Sequence, residues 1–319
     1  SELRITDIKT YIVPPSFDDD PQKWGDSKTF LFVKLETNKG IDGWGECYVL
    51  RDRERCTELY IKEMKRHLVD FDPSRIKHFQ NWAYNSFAES RPGIDLFCAI
   101  SGVEIAMWDI MGKYYNTPVY NLLGGPVHNK LRLYANLASN GYKSPEEVAK
   151  YAREMVAMGF TAVKMYPFDF GESDDEVYER IVKVREAIGD NVDLMIDLWR
   201  KTQPGQAVNM AKRIEPLKIT WFEEPIPSDN MEVLADIRHR ISQPVVAGEC
   251  IWGKRAYNTL FRAGAVDIIN ADISVAGGIL ELKEIASMAE ANYIKIGPHN
   301  SNSTTVCTQQ NLMPFCTLS

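Results

Sequence analysis

The chain has 319 residues, of which 45% are hydrophobic and 25% charged, as is ordinary for a soluble globular protein of one large or two modest domains. Its formal net charge of −7 argues against nucleic acid as a partner, because a nucleic-acid backbone requires a basic face. No apolar run approaches the length of a membrane span, and the first residues are not a signal peptide. The six cysteines form no CxxC pair, so we expect a cytoplasmic protein with reduced thiols.

Residues 1 to about 125 predict an α+β domain. Strand-like runs at Ile5–Val13, at Thr29–Thr37 and over 43–49 indicate an antiparallel meander. The polar segment Pro14–Ser27 between the first two runs is typical of a mobile loop. Helical periodicity follows in three segments, Arg53–His67, Pro73–Ser86 and Phe97–Tyr115.

Residues 126–319 alternate strand with helix, which is typical of a parallel (β/α) barrel and makes the fold class α/β. Seven strands are predicted, at Leu131–Ala135, Thr161–Tyr166, Val192–Asp197, Ile219–Glu223, Val245–Glu249, Val266–Ala271 and Tyr293–Pro298. Six amphipathic helices are predicted between them, at Pro145–Met158, Asp174–Ile188, Gly205–Ile214, Met231–Arg240, Lys254–Ala263 and Gly278–Glu290. Ser303–Gln310 is predicted as a seventh helix, and since a closed barrel needs eight strands, we expect the eighth to be missing from this chain.

Three of the predicted strands end in a carboxylate, at Asp197, Glu223 and Glu249, and the three are regularly 26 residues apart (197 to 223 and 223 to 249). If the strands are parallel neighbours, these side chains converge at one edge of the sheet, where barrel active sites lie. Three ionised carboxylates in contact repel one another unless a cation lies among them. Oxygen-only ligands favour Mg²⁺ over Mn²⁺ or Ca²⁺. The alternative at each single position is a carboxylate that caps the following helix.

More polar residues follow other strands at the same edge. The alternation of a strand turns Lys164 and Tyr166 inward and Met165 outward. Asp272 follows the sixth predicted strand and His299 ends the seventh. The alternative for His299 is a structural histidine near a helix start.

These residues belong to motifs that run through nearly the whole chain in a recognisable order. The motifs are Gly43-Trp-Gly-Glu46, Ser101-Gly-Val-Glu-Ile-Ala-Met-Trp-Asp109, Leu122-Leu-Gly-Gly125, Lys164-x-Tyr166, Asp197, Trp221-Phe-Glu-Glu-Pro225, Gly248-Glu249, Asp272-Ile-Ser-Val-Ala-Gly-Gly278 and Pro298-His-Asn300. With them the chain resembles the mandelate racemase subgroup (mandelate racemase/muconate lactonizing enzymes) of the enolase superfamily.

The resemblance implies an N-terminal α+β capping domain, here residues 1–125, over a modified (β/α)₇β TIM barrel, here residues 126–319. It also implies Mg²⁺ held by Asp197, Glu223 and Glu249, with Glu224 as a neighbour that is not a ligand. Subgroup members often form dimers or octamers, so a homo-oligomer is expected.

The reaction that the resemblance implies is abstraction of the proton alpha to a substrate carboxylate. An Asp272–His299 dyad would act in acid/base roles, with Lys164 beside the metal stabilising the enediolate. The family's second-strand motif is Lys-x-Lys, and Tyr166 stands in place of its second lysine. This departure favours an acid-sugar dehydratase working mainly through His299 and giving a 2-keto-3-deoxy acid, with Tyr166 orienting substrate or donating a proton.

Two other functions stay open. A racemase, epimerase or cycloisomerase would use Tyr166 and His299 on opposite faces of a hydroxy acid or sugar acid. A catalytically inactive barrel is the alternative from another class, suggested by the missing strand and the missing lysine. The small-molecule carboxylate would contact polar or aromatic side chains near the strand ends, each of which could instead be a packing or surface residue: Trp24, Tyr48, Arg51, Trp199, Arg200 and Asn300.

Overall fold

The computed structural model describes residues 2–14, 29–137, 144–168, 173–301, 303, 304 and 306. Its strands are β1 (Ile5–Val13), β2 (Phe30–Thr37), β3 (Gly43–Cys47), β4 (Ala135–Leu137), β5 (Ala162–Met165), β6 (Asp193–Asp197), β7 (Ile219–Glu223), β8 (Val245–Ala247), β9 (Ile268–Ile269) and β10 (Lys295–Ile296). Its helices are α1 (Glu54–Leu68), α2 (Ile76–Trp82), α3 (Ile94–Tyr114), α4 (Val119–Leu122), α5 (Pro145–Ala157), α6 (Asp174–Ile188), α7 (Pro204–Ile214), α8 (Met231–Arg240), α9 (Gly253–Arg262), α10 (Ile273–Ala276) and α11 (Ile279–Ala291).

The N-terminal strands form the predicted antiparallel meander, in the order β1-β2-β3. Strand alternation buries Leu31, Val33 and Leu35 on one face of β2, where they pack in the same core as α1 and α3. Helix α3 lies directly on β3 because glycine leaves room for its backbone: a Cβ at Gly45 would lie 1.9 Å from the carbonyl oxygen of Gly102. This close contact makes α3 the buried centre of the N-terminal region.

The helices of this region differ from prediction at their ends. The segment predicted as one helix over Pro73–Ser86 is α2 followed by a π-helical turn at Ala83–Phe87. Helix α3 begins three residues before the predicted start at Phe97, because Leu96 and Phe97 are both buried and continue its apolar surface. Most of the predicted loop Pro14–Ser27 lies outside the described residues.

The remaining strands form a curled parallel sheet in the order β10-β9-β8-β7-β6-β5-β4, so each pairs with its neighbours in the chain. The predicted count of seven strands is confirmed in the described residues, where β4 and β10 are the two edges. The outer face carries the main core against the helices. The inner face carries a small apolar cluster made of Ala162, Met195, Trp221 and Val246, with Tyr134 and Ile268 against it.

Several predicted strands are too long, and the first is displaced. The prediction Leu131–Ala135 is wrong, because pairing with β5 starts only at Ala135. Before Ala135, a side chain contacts the chain that leads into β5: the Arg132 guanidinium donates to the backbone carbonyl oxygen of Thr161 at 2.9 Å. The predicted helix Ser303–Gln310 falls mostly outside the described residues.

Each helix in the described ranges is too short or too polar to cross a lipid bilayer. Four cysteines in those ranges are thiols that form no disulfide bond: Cys47, Cys56, Cys98 and Cys250.

Candidate metal and proton-transfer site

Three carboxylates meet at the carboxyl-terminal edge of the parallel sheet. Asp197 and Glu223 are the last residues of β6 and β7 and lie directly opposite each other in the sheet register. Glu249 comes two residues after β8. One oxygen from each of the three lies within 4.8 Å of those of the other two, and all three side chains are buried. The structure thus brings together the three carboxylates that the strand spacing predicts to converge.

Lys164, on β5, provides a positive charge inside this cluster. Its Nζ lies 2.8 and 2.9 Å from the two carboxylate oxygens of Glu223 and 3.3 Å from Oδ2 of Asp197. Burial alone would lower the pKa of Lys164, but the charges of these two carboxylates outweigh it and hold the pKa well above its usual value. Lys164 is therefore a fixed cation at neutral pH.

Arg200 supplies a second cation. Its guanidinium contacts the Glu249 carboxylate and lies 3.6 Å from Oε2 of Glu224. Glu224 points away from the cluster, where it accepts hydrogen bonds from the backbone N–H of Gly248 at 2.9 Å and the hydroxyl of Ser228 at 3.2 Å. These contacts agree with the expectation that Glu224 is a neighbour of the cluster.

The donor set fits a hard divalent cation. It consists of carboxylate oxygens with no sulfur, and such ligands suit Mg²⁺. Burial and the nearby charge of Glu223 raise the pKa of Asp197 to about 7, so a bound cation would favour its ionised form. Asp197, Glu223 and Glu249 are the residues that would hold the ion.

Asn270, which the sequence analysis did not single out, fixes two of the carboxylates. It directly follows β9 and is buried. Its Nδ2 donates to Oε1 of Glu223 at 3.0 Å and, more weakly, to Oε2 of Glu249 at 3.5 Å. Its Oδ1 accepts the backbone N–H of Glu249 at 3.0 Å. Strand alternation could have identified it, because it lies two residues before Asp272.

His299 and Asp272 form the predicted pair. Nδ1 of His299 lies 2.7 Å from Oδ2 of Asp272, whose other oxygen accepts from the backbone N–H and hydroxyl of Ser274. Burial would raise the pKa of Asp272, but the hydrogen bonds from His299 and Ser274 hold it below its usual value. An ionised Asp272 fixes the proton of His299 on Nδ1, so Nε2 is the atom that faces the carboxylate cluster, 3.3 Å from Oε2 of Glu249.

The charge around His299 controls its basicity. Burial would lower the pKa of His299, but Glu249 and Asp272 on either side of the ring outweigh it and raise the pKa to about 9. Tyr48, from the N-terminal region, lies over this ring with its own ring centroid 6.5 Å away. Burial raises the pKa of Tyr48 to about 12, so this tyrosine stays protonated.

Tyr166 lies on the same side of the cluster as Lys164. The Lys164 Nζ is 5.7 Å from the Tyr166 ring centroid, and Asn136 donates to the Tyr166 hydroxyl oxygen at 3.3 Å. Burial raises the pKa of Tyr166 above its ordinary value despite the opposing charge of Lys164. Tyr166 is therefore a proton donor at neutral pH and a poor base.

The other residues predicted to contact substrate are scattered around the site. Trp199 is 52% exposed and has a positive φ of 43°, and its backbone N–H donates to Oδ1 of Asp197 at 2.9 Å. Asn300 is exposed beside His299, and its Oδ1 accepts from the N–H of Ser303 at 3.1 Å. Arg51 is exposed. Trp24 lies outside the described residues. Substrate contact by these residues stays a prediction.

A cavity of about 530 Å³ lies beside the site, not over it. It runs between β4 and β10 along the inner face of the sheet, and its wall includes Tyr134, Trp221 and Ile296. It shares His299 and Asn300 with the site, but none of the three carboxylates lines it.

Comparison with known proteins covers both halves of the chain. The family described as the mandelate racemase/muconate lactonizing enzyme N-terminal domain matches residues 17–124. The family described as enolase C-terminal domain-like matches residues 147–319.

Individual relatives are similar over nearly the whole chain. A D-galactonate dehydratase from Ralstonia pickettii (strain 12J) is 33% identical over 303 residues, which span 93% of this chain and 75% of the relative. A D-galactonate dehydratase from Verminephrobacter eiseniae (strain EF01-2) is 31% identical over the same coverage.

Solved structures share the overall fold of this chain. The 3,6-anhydro-D-galactonate cycloisomerase from Zobellia galactanivorans superimposes with a TM-score of 0.89 at 28% identity, covering 99% of this chain and 85% of that one. A mandelate racemase/muconate lactonizing enzyme from Sulfitobacter sp. gives a TM-score of 0.90 at 29% identity, covering 99% and 83%. The two family matches and these relatives show that the chain belongs to the mandelate racemase subgroup of the enolase superfamily.

Proposed function

We propose that the protein is a Mg²⁺-dependent lyase that dehydrates an acid sugar to a 2-keto-3-deoxy acid. One observation carries the proposal: Nε2 of His299 faces the three-carboxylate cluster, 3.3 Å from Glu249, while Nδ1 is held by Asp272. A base is therefore fixed at the edge of a cation site. The D-galactonate dehydratases among the relatives support this class of substrate.

A proton alpha to a carboxylate is too weakly acidic for a side-chain base acting in water. Mg²⁺ among Asp197, Glu223 and Glu249 would supply the Lewis acidity that polarises the substrate carboxylate and stabilises the enediolate charge. Lys164 adds a fixed positive charge in the same place, since the surrounding carboxylates keep it protonated.

In the proposed reaction, Nε2 of neutral His299 removes the proton from C2 of the sugar acid. A cation held by Glu249 and its neighbours would offset the carboxylate charge that raises the pKa of His299 to about 9, and would so favour the neutral ring. Asp272 fixes the ring and stabilises the imidazolium that forms. The electron pair of the broken C2–H bond becomes the C2–C3 double bond, the C3–O bond breaks, and the hydroxyl leaves as water with one proton. The enol product then takes up a proton at C3 and loses the proton of its C2 hydroxyl, which gives the 2-keto-3-deoxy acid.

The leaving hydroxyl needs a proton donor. His299 carries the proton that it has just removed, so it can serve as base and then as acid. Tyr166 is another protonated group at the site and is placed by its hydrogen bond from Asn136. We assign Tyr166 to hydrogen bonding with the substrate, because its raised pKa makes it a poor base.

Cycloisomerisation of an anhydro sugar acid is the second candidate, and the likeness to the 3,6-anhydro-D-galactonate cycloisomerase favours it. Both reactions begin with proton removal by His299 beside the cation. They differ in the product, because the cycloisomerisation releases no water.

The test is to incubate the purified protein with Mg²⁺ in D₂O and a panel of sugar acids that includes D-galactonate and 3,6-anhydro-D-galactonate. We expect a 2-keto-3-deoxy product with one deuterium at C3, followed by NMR. An isomer of the anhydro acid without a keto-deoxy product from any acid would support the second candidate. Epimerised, labelled substrate alone would contradict both. No turnover of any acid, in protein that binds Mg²⁺, would support the inactive barrel.

The division into a capping domain (1–125) and a barrel domain (126–319) is part of the proposal. It is supported by the change from an antiparallel to a parallel sheet between β3 and β4. Homo-oligomer formation and a cytoplasmic location stay predictions.

A further inference from the structure

Helix α3 of the N-terminal region reaches across to the chain that follows Asp272. The Ser101 hydroxyl oxygen accepts the backbone N–H of Gly277 at 3.0 Å. One turn further along, Oε2 of Glu104 accepts the N–H of Ile279 at 2.7 Å, and its Oε1 accepts that of Leu280 at 2.9 Å. Ser101 and Glu104 are both fully buried.

Glu104 is held firmly in this position. Its Oε1 also accepts from the indole N–H of Trp108 at 2.8 Å, one turn along the same helix. Its two backbone donors are the first two residues of α11, where N–H groups have no partner inside the helix and a carboxylate is favoured. A side chain of α3 therefore satisfies the N-terminus of a helix that lies about 175 residues later in the chain.

The two glycines before α11 make this contact possible. Gly277 has a φ of 124° and Gly278 a φ of 97°, a region that disfavours other residues. A Cβ on Gly278 would lie 2.1 Å from Oε2 of Glu104. Glycine at 278 is thus required both by the backbone conformation and by the approach of the carboxylate.

The chain held by α3 is continuous with the turn that carries Asp272. The carbonyl oxygen of Asp272 accepts from the N–H of Ala276 at 2.7 Å, and that of Ile273 accepts from Gly278 at 3.2 Å. The same turn is held from its other side, since the N–H of Tyr48 donates to the Ser274 carbonyl oxygen at 3.4 Å. Fixing residues 277–280 therefore fixes the position of Asp272.

We propose that Glu104, assisted by Ser101, is a positioning residue for the Asp272–His299 pair. Glu104 acts from α3, in the N-terminal region, and touches neither the substrate nor the metal. The consequence is that the N-terminal region contributes to the proton-transfer step itself. The inference rests on the proposed function, because it takes Asp272 and His299 as the groups that transfer the proton.

The first variant is Glu104→Gln. Glutamine keeps the shape, but only one of its two terminal atoms accepts hydrogen bonds, so a donor would face one of the N–H groups of α11. The turn would shift, and displacement of a base from its working position lowers the chemical rate by up to about 10²-fold for about 1 Å. We expect kcat to fall about tenfold or more, with KM and the Kd for Mg²⁺ unchanged, because the carboxylate cluster is not disturbed.

Asp109→Asn is the matched control. Asp109 is also on α3, and its Oδ2 accepts from the N–H of Trp44 at 2.8 Å and from Lys113 at 2.7 Å. These partners all lie in the N-terminal region, so the control weakens α3 without touching the Asp272 turn. We expect a lower Tm with unchanged kcat. An equal fall in kcat for the two variants, or no fall for E104Q, would overturn the inference.

A second variant, Ser101→Ala, keeps the test decisive if E104Q does not fold, since it removes only the acceptor of Gly277. A severalfold fall in kcat at constant KM would support the inference, and an unchanged kcat would overturn it.

Hydrogen exchange of the amides of residues 274–280 gives a readout that needs no substrate. Faster exchange in E104Q or S101A than in D109N is expected, and equal exchange would contradict the inference. If the wild type turns over no sugar acid, the proposed function fails, whereas the exchange experiment still tests the contact.

Discussion

Two groups of buried carboxylates in the molecule differ in their hydrogen-bond partners and neighbouring charges. At the interface between the N-terminal region and α11, Glu104 accepts three hydrogen bonds from N–H donors. At the strand ends, Asp197, Glu223 and Glu249 lie within 4.8 Å of one another, where burial and mutual charge oppose ionisation of Asp197. The comparison separates a carboxylate that stabilises backbone from carboxylates that are arranged for an ion.

The difference has a physical cause. Burial raises the pKa of both groups, to about 8 at Glu104 and about 7 at Asp197, but at Glu104 the N–H donors oppose this effect, whereas at Asp197 the charge of Glu223 adds to it. At the strand ends Lys164, Arg200 and His299 bring positive charge, yet burial and the charge of Glu223 still raise the pKa of Asp197. Changes at the strand ends should therefore alter metal binding and turnover directly, whereas changes at the interface should alter stability and should act on turnover only through the position of Asp272.

The largest effect is expected for His299→Asn, at the strand ends. Loss of the base should lower kcat by about 10²–10⁴-fold. Mg²⁺ affinity should change little, because none of the three carboxylates is altered. Steady-state kinetics and calorimetric metal titration give the two measurements.

His239→Asn is the control for this prediction, since His239 is exposed on α8. Its kcat should equal that of the wild type. Wild-type turnover in H299N would remove the role assigned to the Asp272–His299 pair.

The next largest effect is expected for Asn270→Ala, which tests whether Asn270 orients the carboxylates at the strand ends. The change removes the hydrogen bonds to Glu223 and to the backbone of Glu249. Loss of such a supporting contact typically costs about 10–100-fold in metal affinity. Titration with Mg²⁺ should show this loss, while Asn292→Ala at the exposed end of α11 should bind as the wild type does. Equal affinities would show that Asn270 does not orient the ligands.

At the interface, the expected effect is on stability. Alanine in a left-handed conformation costs about 1–2 kcal/mol, and this is all that Gly264→Ala should cost, since no atom lies within 4 Å of its added Cβ. Gly278→Ala should cost more, because its Cβ would lie 2.1 Å from Glu104. Urea unfolding of the two variants measures the difference. Equal costs would mean that Glu104 moves aside freely.

The smallest effect is expected for Tyr166→Phe. The hydroxyl loses its contact with Asn136, but no base is removed, so we expect kcat to fall by about tenfold or less, near the value of one neutral hydrogen bond. If Tyr166→Phe instead lowered epimerisation or exchange activity by about 10²-fold or more, which is the scale of general base catalysis, Tyr166 would be a base.

The strand-end site could be predicted because its signal is local. Each of Asp197, Glu223 and Glu249 follows an apolar run, and parallel strands joined by helices stack in chain order. Regular spacing along the chain therefore becomes proximity in space. For Lys164, strand alternation alone predicts that the side chain turns toward the carboxylates.

The interface could not be predicted in the same way. Glu104 lies in a motif of α3 that suggested family membership, but its partners are backbone N–H groups, which have no signature in the sequence. The start of β4 was missed for a related reason. Leu131–Ala135 has strand composition, but pairing begins only at Ala135, because a strand requires a partner as well as a propensity.

The central claim is that one divalent cation binds among Asp197, Glu223 and Glu249. Crystals soaked with Mn²⁺, which scatters anomalously and takes the place of Mg²⁺, test it most directly. The account predicts one strong anomalous peak in contact with an oxygen of each of the three side chains, and its loss in Glu223→Gln. No peak at the cluster, or an equal peak in the variant, would contradict the account.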